Sequence, residues 1–114
     1  MSILDTDVII EMLREKRHVE GAISIITLIE FLRGLEKEKR ARAKRLLEES
    51  FKILNLDNEV IEIYCTLYQR LREMGSPIPD ADLLIAATAI SHRKALKTRD
   101  EDFERLKPLG LELA

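Results

Sequence analysis

Three features of the sequence predict an α/β fold in a single domain, residues 1–114, with a parallel sheet flanked by helices. Short apolar runs alternate with stretches of helical periodicity, the pattern of a sheet whose crossovers are helices. One helical stretch, "DADLLIAATAI", is almost wholly apolar: from Leu83 to Ile90 the only polar side chain is Thr88. A helix that is apolar on every side packs inside a protein. The length, 114 residues, suits one core and not two.

The elements follow in order. "SIL" (2–4) is a strand ending at Asp5, and "TDVIIEMLRE" continues it as a helix. "AISI" (22–25) is the second strand, and "TLIEFLRGLEKEKRARAKRLLEESF" is helical, in two pieces broken near Gly34. "FKILNL" (51–56) reads as the third strand. Val60, Ile61, Tyr64, Leu67, Tyr68, Leu71 and Met74 then recur at intervals of three and four, an amphipathic helix stopped by Gly75. Pro77 and Pro79 mark a loop before the apolar helix. "ALKT" (95–98) is a fourth strand, "DEDFERL" a short helix and "LELA" a fifth strand after Gly110.

Composition narrows the function classes. Hydrophobic residues make up 46% of the chain, which supports a folded globule without linker, repeat or low-complexity segment. No stretch reaches the roughly 18 apolar residues of a membrane span. The opening "MSILDTDV" has an acid at position 5 and no basic lead-in, unlike a signal peptide. A single cysteine, Cys65, cannot form an internal disulfide, and a cytoplasmic setting is expected. The net charge of -2 excludes a polycation, so any nucleic-acid binding must rest on a local basic patch.

Four acids fall at strand ends or one turn beyond: Asp5 after strand one, Glu30 in the helix after strand two, Asp82 opening the apolar helix, Asp100 after strand four. In an open α/β sheet, ligands bind outside the carboxyl ends of the strands. Each acid also has a capping role open to it. Asp5 can cap the first helix, Asp80 or Asp82 the apolar helix, and Thr27-x-x-Glu30 and Thr98-x-x-Glu101 have capping-box spacing. Four acids at one rim repel one another, and a hard divalent cation such as Mg2+ or Mn2+ resolves that repulsion and can activate water against phosphate. One Cys and two His argue against a zinc site. His92, at the end of the apolar helix, is expected to serve the helix terminus. There is no glycine-rich phosphate loop and no G-x-S-x-G elbow.

"ILDTDVII", "ITLIEFLRG", "DADLLIAATAI" and "LKTRDEDFERL", in this order, resemble the PIN domain, and most of all the small PIN ribonucleases that are VapC-type toxins of toxin–antitoxin pairs. The resemblance spans essentially the whole chain. It implies a parallel sheet in the order 3-2-1-4-5, a divalent cation (Mg2+ or Mn2+) held by acids, and RNA as substrate. By position, Asp5, Glu30 and Asp82 match the family's three near-constant acids, and Asp100 matches the more variable fourth, with Asp102 as its competitor. Asp5, Asp82 and Asp100 are then metal ligands, and Glu30 orients or deprotonates the attacking water. Asp7 stands where many relatives have Asn and is expected to be an additional acceptor. Thr6 and Thr98 match small hydroxyl positions beside the site. The likeness also implies a homodimer and an antitoxin protein that blocks the site.

"KEKRARAKR" (37–45) has six basic side chains and one acid. Arg40, Arg42, Lys44 and Arg45 are candidates for RNA or partner contact, or for a solvated face carrying Glu36–Arg40 and Glu38–Arg42 pairs. Arg93, Lys94, Lys97 and Arg99 surround the fourth strand, nearer the acids. Aromatics at 4% give little for a base-stacking platform, and Phe31 and Phe103 are expected in the core. Tyr64 and Tyr68 are expected to pack on the core, with a dimer interface as the other use. Two rival readings remain. A phosphoacceptor receiver domain would use Asp57 after strand three, Thr98 and Lys107, but lacks a final helix and leaves Glu30 and Asp82 without a role. A PIN fold without catalysis is disfavoured because all four acid positions are filled.

Overall fold

Ile3 and Leu4, the two residues of β1 (Ile3–Leu4), send their side chains into different halves of the core. Adjacent strand residues point to opposite faces of a sheet, so this strand is buried from both sides. The computed structural model describes all residues from Met1 to Ala114. After β1 come α1 (Thr6–Arg14), β2 (Ala22–Ser24), α2 (Ile25–Arg33), α3 (Lys37–Ser50), β3 (Lys52–Leu54), α4 (Asn58–Glu73), α5 (Asp80–Ser91), β4 (Leu96–Lys97) and a 3-10 helix (Glu101–Leu109). No helix is long and apolar enough to cross a membrane.

The sheet is parallel throughout, in the order β3-β2-β1-β4, with Ile3 opposite Ala22 on one side and Leu96 on the other. Ala22 joins Ile3, Leu96 and the buried residues of α4, α5 and the 3-10 helix in one cluster. Ile23 joins Leu4 with Val8, Ile9 and Met12 of α1, Leu28 of α2 and Leu47 of α3 in the other. Gly21 precedes β2 because a Cβ there would stand 2.8 Å from both Leu4 Cγ and the Ser2 carbonyl oxygen.

The fifth strand expected at 111–114 contracts to one parallel bridge, Leu96 to Leu113. Leu96 donates to the Glu112 carbonyl (2.8 Å) and accepts from Ala114 (2.9 Å), so one residue of β4 exhausts the pairing. The segment still lies beyond β4, the place the order 3-2-1-4-5 gives it. The expected helix after "ALKT" is 3-10 in form, as suits a short tight segment carrying Pro108.

Helix α5 is central. Leu83, Ile85, Ala86, Ala87, Thr88 and Ala89 are all buried, and the Thr88 hydroxyl is satisfied by donating to the Leu84 carbonyl at 2.8 Å. Burying a hydroxyl without a partner is destabilising, and this back-bond offsets that cost at Thr88. His92 is the C-cap of this helix, as expected. Helix α4 packs on α5 through Val60, Leu67 and Leu71, a narrower face than the sequence indicated. Ile61 (48%), Tyr68 (47%) and Met74 (55%) are exposed, so Tyr68 is not a core residue. Phe103 is fully buried, whereas Phe31 is half-buried at the edge of a groove.

Candidate active site

Asp5, a candidate site acid, is also the N-cap of α1. Its Oδ1 accepts from the Thr6 amide at 2.8 Å, and its Oδ2 accepts from the Thr98 hydroxyl at 2.7 Å. The second bond crosses from β1 to the residue after β4, neighbours in the sheet. Asp5 is 6% exposed, and burial raises its carboxyl pKa above the ordinary value. The two hydrogen bonds oppose that rise, and the charges of Asp7 and Glu30 add to it.

Glu30 is not part of a capping box. The helix begins earlier than expected, at Ile25, with Ser24 as the cap accepting from Ile26 at 3.0 Å. Thr27 is therefore inside the helix, fully buried, with its hydroxyl oxygen lacking a partner. Glu30 Oε1 instead accepts from the Thr6 hydroxyl at 2.9 Å, and the exposed Arg33 lies 3.7 Å from Oε2. Thr6 thus holds two acids together: its amide binds Asp5 and its hydroxyl binds Glu30.

Asp82 does not cap α5, whose N-cap is Pro79 with no side-chain bond to the helix. Its carboxyl is free for another use. Burial pushes it up to about 6, and the charges of Asp5, Asp100, Glu30 and Asp102 push the same way. Four other carboxylates therefore act on Asp82 across the end of the sheet. Asp80, two residues earlier, is held by the Tyr64 hydroxyl at 2.6 Å. That bond is the main reason the phenol is pushed up to about 12, since ionising it would oppose a carboxylate.

Asp100 caps the 3-10 helix, Oδ1 accepting from the Asp102 amide at 2.9 Å, while its own amide donates to the Thr98 hydroxyl oxygen at 3.1 Å. The expected Thr98-x-x-Glu101 box is replaced by this arrangement. Thr98 is the counterpart of Thr6, linking Asp5 to the Asp100 backbone. Asp102 pairs with Arg105 at 3.2 Å, and its charge acts on Asp82 less than that of Asp100 does. Asp102 therefore carries an ion pair that Asp100 does not.

Asp7 Oδ2 accepts from the Arg99 amide at 3.2 Å, and its buried Oδ1 has no partner. An orphaned buried carboxylate oxygen needs a donor or a cation. No three acids close around a single point. The donors are all oxygen, two carboxyl groups have raised pKa values, and an acceptor is unfilled. That chemistry fits a hard divalent cation, which would draw together groups that otherwise repel.

The basic run lies elsewhere, on α3, which packs on α2 and beside the edge strand β3. Arg40 donates to the Leu35 carbonyl (3.1 Å), Lys44 pairs with Glu48 (3.1 Å), and Arg42 lines an apolar groove. Neither the Glu36–Arg40 nor the Glu38–Arg42 pair forms; Lys44–Glu48 is the ion pair of this helix. Arg45, like its neighbours, is exposed. Asp57, needed for a receiver site, is the N-cap of α4, accepting from Val60 at 2.9 Å beside the edge strand. Glu11 pairs with Arg99 and, at 3.9 Å, with Arg17, contacts that lie outside the acids expected from the sequence. The signal was present: Glu11 is one turn from Asp7, on the same face of α1.

The model of the PIN domain family matches residues 2–108. The chain is 39% identical over 115 residues to ribonuclease VapC1 of Methanocaldococcus jannaschii, covering 97% of this chain and 85% of that protein. Among solved structures it resembles VapBC-1 from nontypeable Haemophilus influenzae with a TM-score of 0.83 at 26% identity, covering 99% of this chain and 96% of that one. VapBC-5 from Mycobacterium tuberculosis, a member of the VapBC family of toxin-antitoxin systems, gives a TM-score of 0.73 at 28% identity, covering 99% and 98%.

Proposed function

Because this chain belongs to the PIN domain family, we propose that it is a metal-dependent endoribonuclease, the toxin of a toxin–antitoxin pair, and that its acid cluster cuts RNA. The observation that carries the reading is the raised pKa of the half-buried Asp82 under the charges of Asp5, Asp100, Glu30 and Asp102. Such a concentration of negative charge is costly unless a cation is its purpose. Asp5, Asp82 and Asp100 would hold Mg2+ or Mn2+, and the bound ion supplies polarisation of the phosphate and an offset for the charge that develops in the reaction.

The chain's own residues supply positioning and proton transfer. Thr6 orients Glu30 through a 2.9 Å bond to Oε1, and Oε2, with the exposed Arg33 3.7 Å away, would accept a proton from the attacking water. Thr98 donates to Asp5 at 2.7 Å and its oxygen receives the Asp100 amide, so one hydroxyl ties the segment after β1 to the segment after β4. Asp7 adds acceptor capacity at the rim.

The neighbours that are VapBC assemblies support an antitoxin partner. A groove of about 470 Å³ lined by Leu13, Phe31, Leu35 and Leu46, with Lys39 and Arg42 outnumbering Glu38 at its side, fits an amphipathic segment carrying acids. The basic run of α3 belongs with this surface better than with the acids. The exposed Ile61 and Tyr68, seven residues apart on α4, would serve a homodimer. The exposed free thiol of Cys65 suits a cytoplasmic location. Single-stranded RNA and DNA of the same sequence, each incubated with the protein and Mg2+ or Mn2+, test the substrate class. RNA alone should be cut, and a chelator should stop the reaction; cutting that persists in chelator refutes the reading.

A further inference from the structure

We infer that a cationic groove beside the acids binds a phosphate of the RNA strand away from the cut, an inference that rests on the nuclease reading above. The groove has a volume of about 290 Å³ and is walled by Arg17, Lys97 and Arg99 over an apolar floor. Thr98 belongs to both places: it lines the groove, and its hydroxyl donates to Asp5 at 2.7 Å. The Arg99 amide donates to Asp7, so the groove starts within one residue of the acid rim.

Charge makes this junction necessary. A strand entering a cluster of carboxylates is repelled, and cations next to the cluster offset that repulsion. Three cations share the groove with one acidic side chain, Glu11, and with Ala114, the last residue; Glu11 pairs with the guanidinium of Arg99 and lies 3.9 Å from that of Arg17. Glu11 holds Arg99 in the groove, while the closer partner of Arg17 is Glu15 at 2.7 Å. The side chains of Arg17 and Arg99 remain 62% and 66% exposed, with donors to spare, and ion pairs this exposed are weak enough for a phosphate to compete with. Lys97 is in no ion pair and is exposed at the groove wall.

Size and lining identify the ligand. The space suits the backbone of one nucleotide better than a large organic ligand. No aromatic side chain lines it, so bases have nothing to stack on and recognition is of phosphate, independent of sequence. The α3 run, the other basic surface, has no such continuity with the acids.

The test is binding of fluorescently labelled single-stranded RNA, followed by anisotropy across a salt series in an Asp82→Asn background so that no strand is cut. Arg17→Gln/Lys97→Gln should bind several-fold more weakly and flatten the log–log salt dependence by about 0.7 for each phosphate no longer neutralised. Lys97→Gln alone should move both quantities in the same direction, guarding against a loosened turn at Arg17, which also pairs with Glu15. Arg40→Gln/Lys44→Gln removes equal charge from α3 and should leave the slope as in the parent. Unchanged affinity and slope in the groove variants overturn the inference. So does RNA binding that is unchanged while binding of the antitoxin chain is abolished, which assigns the groove to a protein. Because anisotropy needs no cleavage, RNA binding through the groove by a wild-type chain that cuts no RNA in Mn2+ or Mg2+ would refute the nuclease reading alone.

Discussion

Replacing Asp82 by Asn should make the metal-free protein more stable at neutral pH, and by an amount that depends on pH in a defined way. The Asp82 carboxyl is raised from 3.8 to about 6 by burial and by its acidic neighbours. A group whose folded pKa lies above its unfolded value favours the fold while protonated, below about pH 3.8, and that contribution is lost as pH rises through about 6. A shift of this size corresponds to roughly 3 kcal/mol by linkage. Solvent screening at a half-buried carboxyl reduces it to about 1–2 kcal/mol. Asn has a similar shape and does not titrate, so Asp82→Asn should gain about 1–2 kcal/mol at pH 7.5, or roughly 4–8 °C in Tm. Near pH 3.5 the gain should vanish, because Asp82 is then neutral as well. Urea and thermal melts in chelator across this pH range measure the difference. Adding Mn2+ should reverse the order at neutral pH, since at a hundredfold excess over Kd a bound ligand stabilises the wild type by about 2.7 kcal/mol. A gain that is the same at pH 3.5 and 7.5, or a variant less stable than wild type at pH 7.5 in chelator, would refute the electrostatic reasoning.

Three further outcomes are expected. Thr98→Val removes the donor to Asp5 and the acceptor for Asp100, and should lower metal affinity or cleavage by about 10–100-fold, the usual cost of losing a partner that orients a ligand; Mn2+ titration and cleavage rates measure it. Glu30→Gln can still accept from Thr6 but cannot take a proton, so single-turnover cleavage should fall by about 10²–10⁴ while RNA affinity holds. Neutralising Arg40, Arg42, Lys44 and Arg45 to Gln should weaken capture of the antitoxin chain and leave the salt dependence of RNA binding unchanged; a flattened salt slope would return these residues to the substrate path.

The apolar run after Asp82 made α5 legible in the sequence, because no surface helix tolerates Leu83 to Ile90 without a polar face. Where two residues could do one job, pattern alone failed. Ser24 and Thr27 are both good caps, and only the structure shows Ser24 in that role, which frees Glu30 to meet Thr6. "LELA" has the alternation of a strand, yet strand status depends on a partner, and only Leu113 finds one. Spacing matches Asp100 to the fourth position but leaves Asp102 as a competitor, and the ion pair of Asp102 with Arg105 is not readable from pattern. The contact of Arg99 with Glu11 joins positions 88 apart and exists only because β4 lies beside β1. Local pattern carries the elements; contacts created by sheet order carry the site's finer wiring.

Cleavage of one labelled RNA by wild type, Asp5→Asn and Asp82→Asn, compared in the same Mn2+ or Mg2+ buffer, tests the central claim most directly. Melting curves on the same samples establish that the variants are folded. Wild type should cut the RNA and stop in chelator, whereas both variants should be folded and inert. Cleavage at the wild-type rate by either folded variant would contradict the assignment of catalysis to this acid cluster.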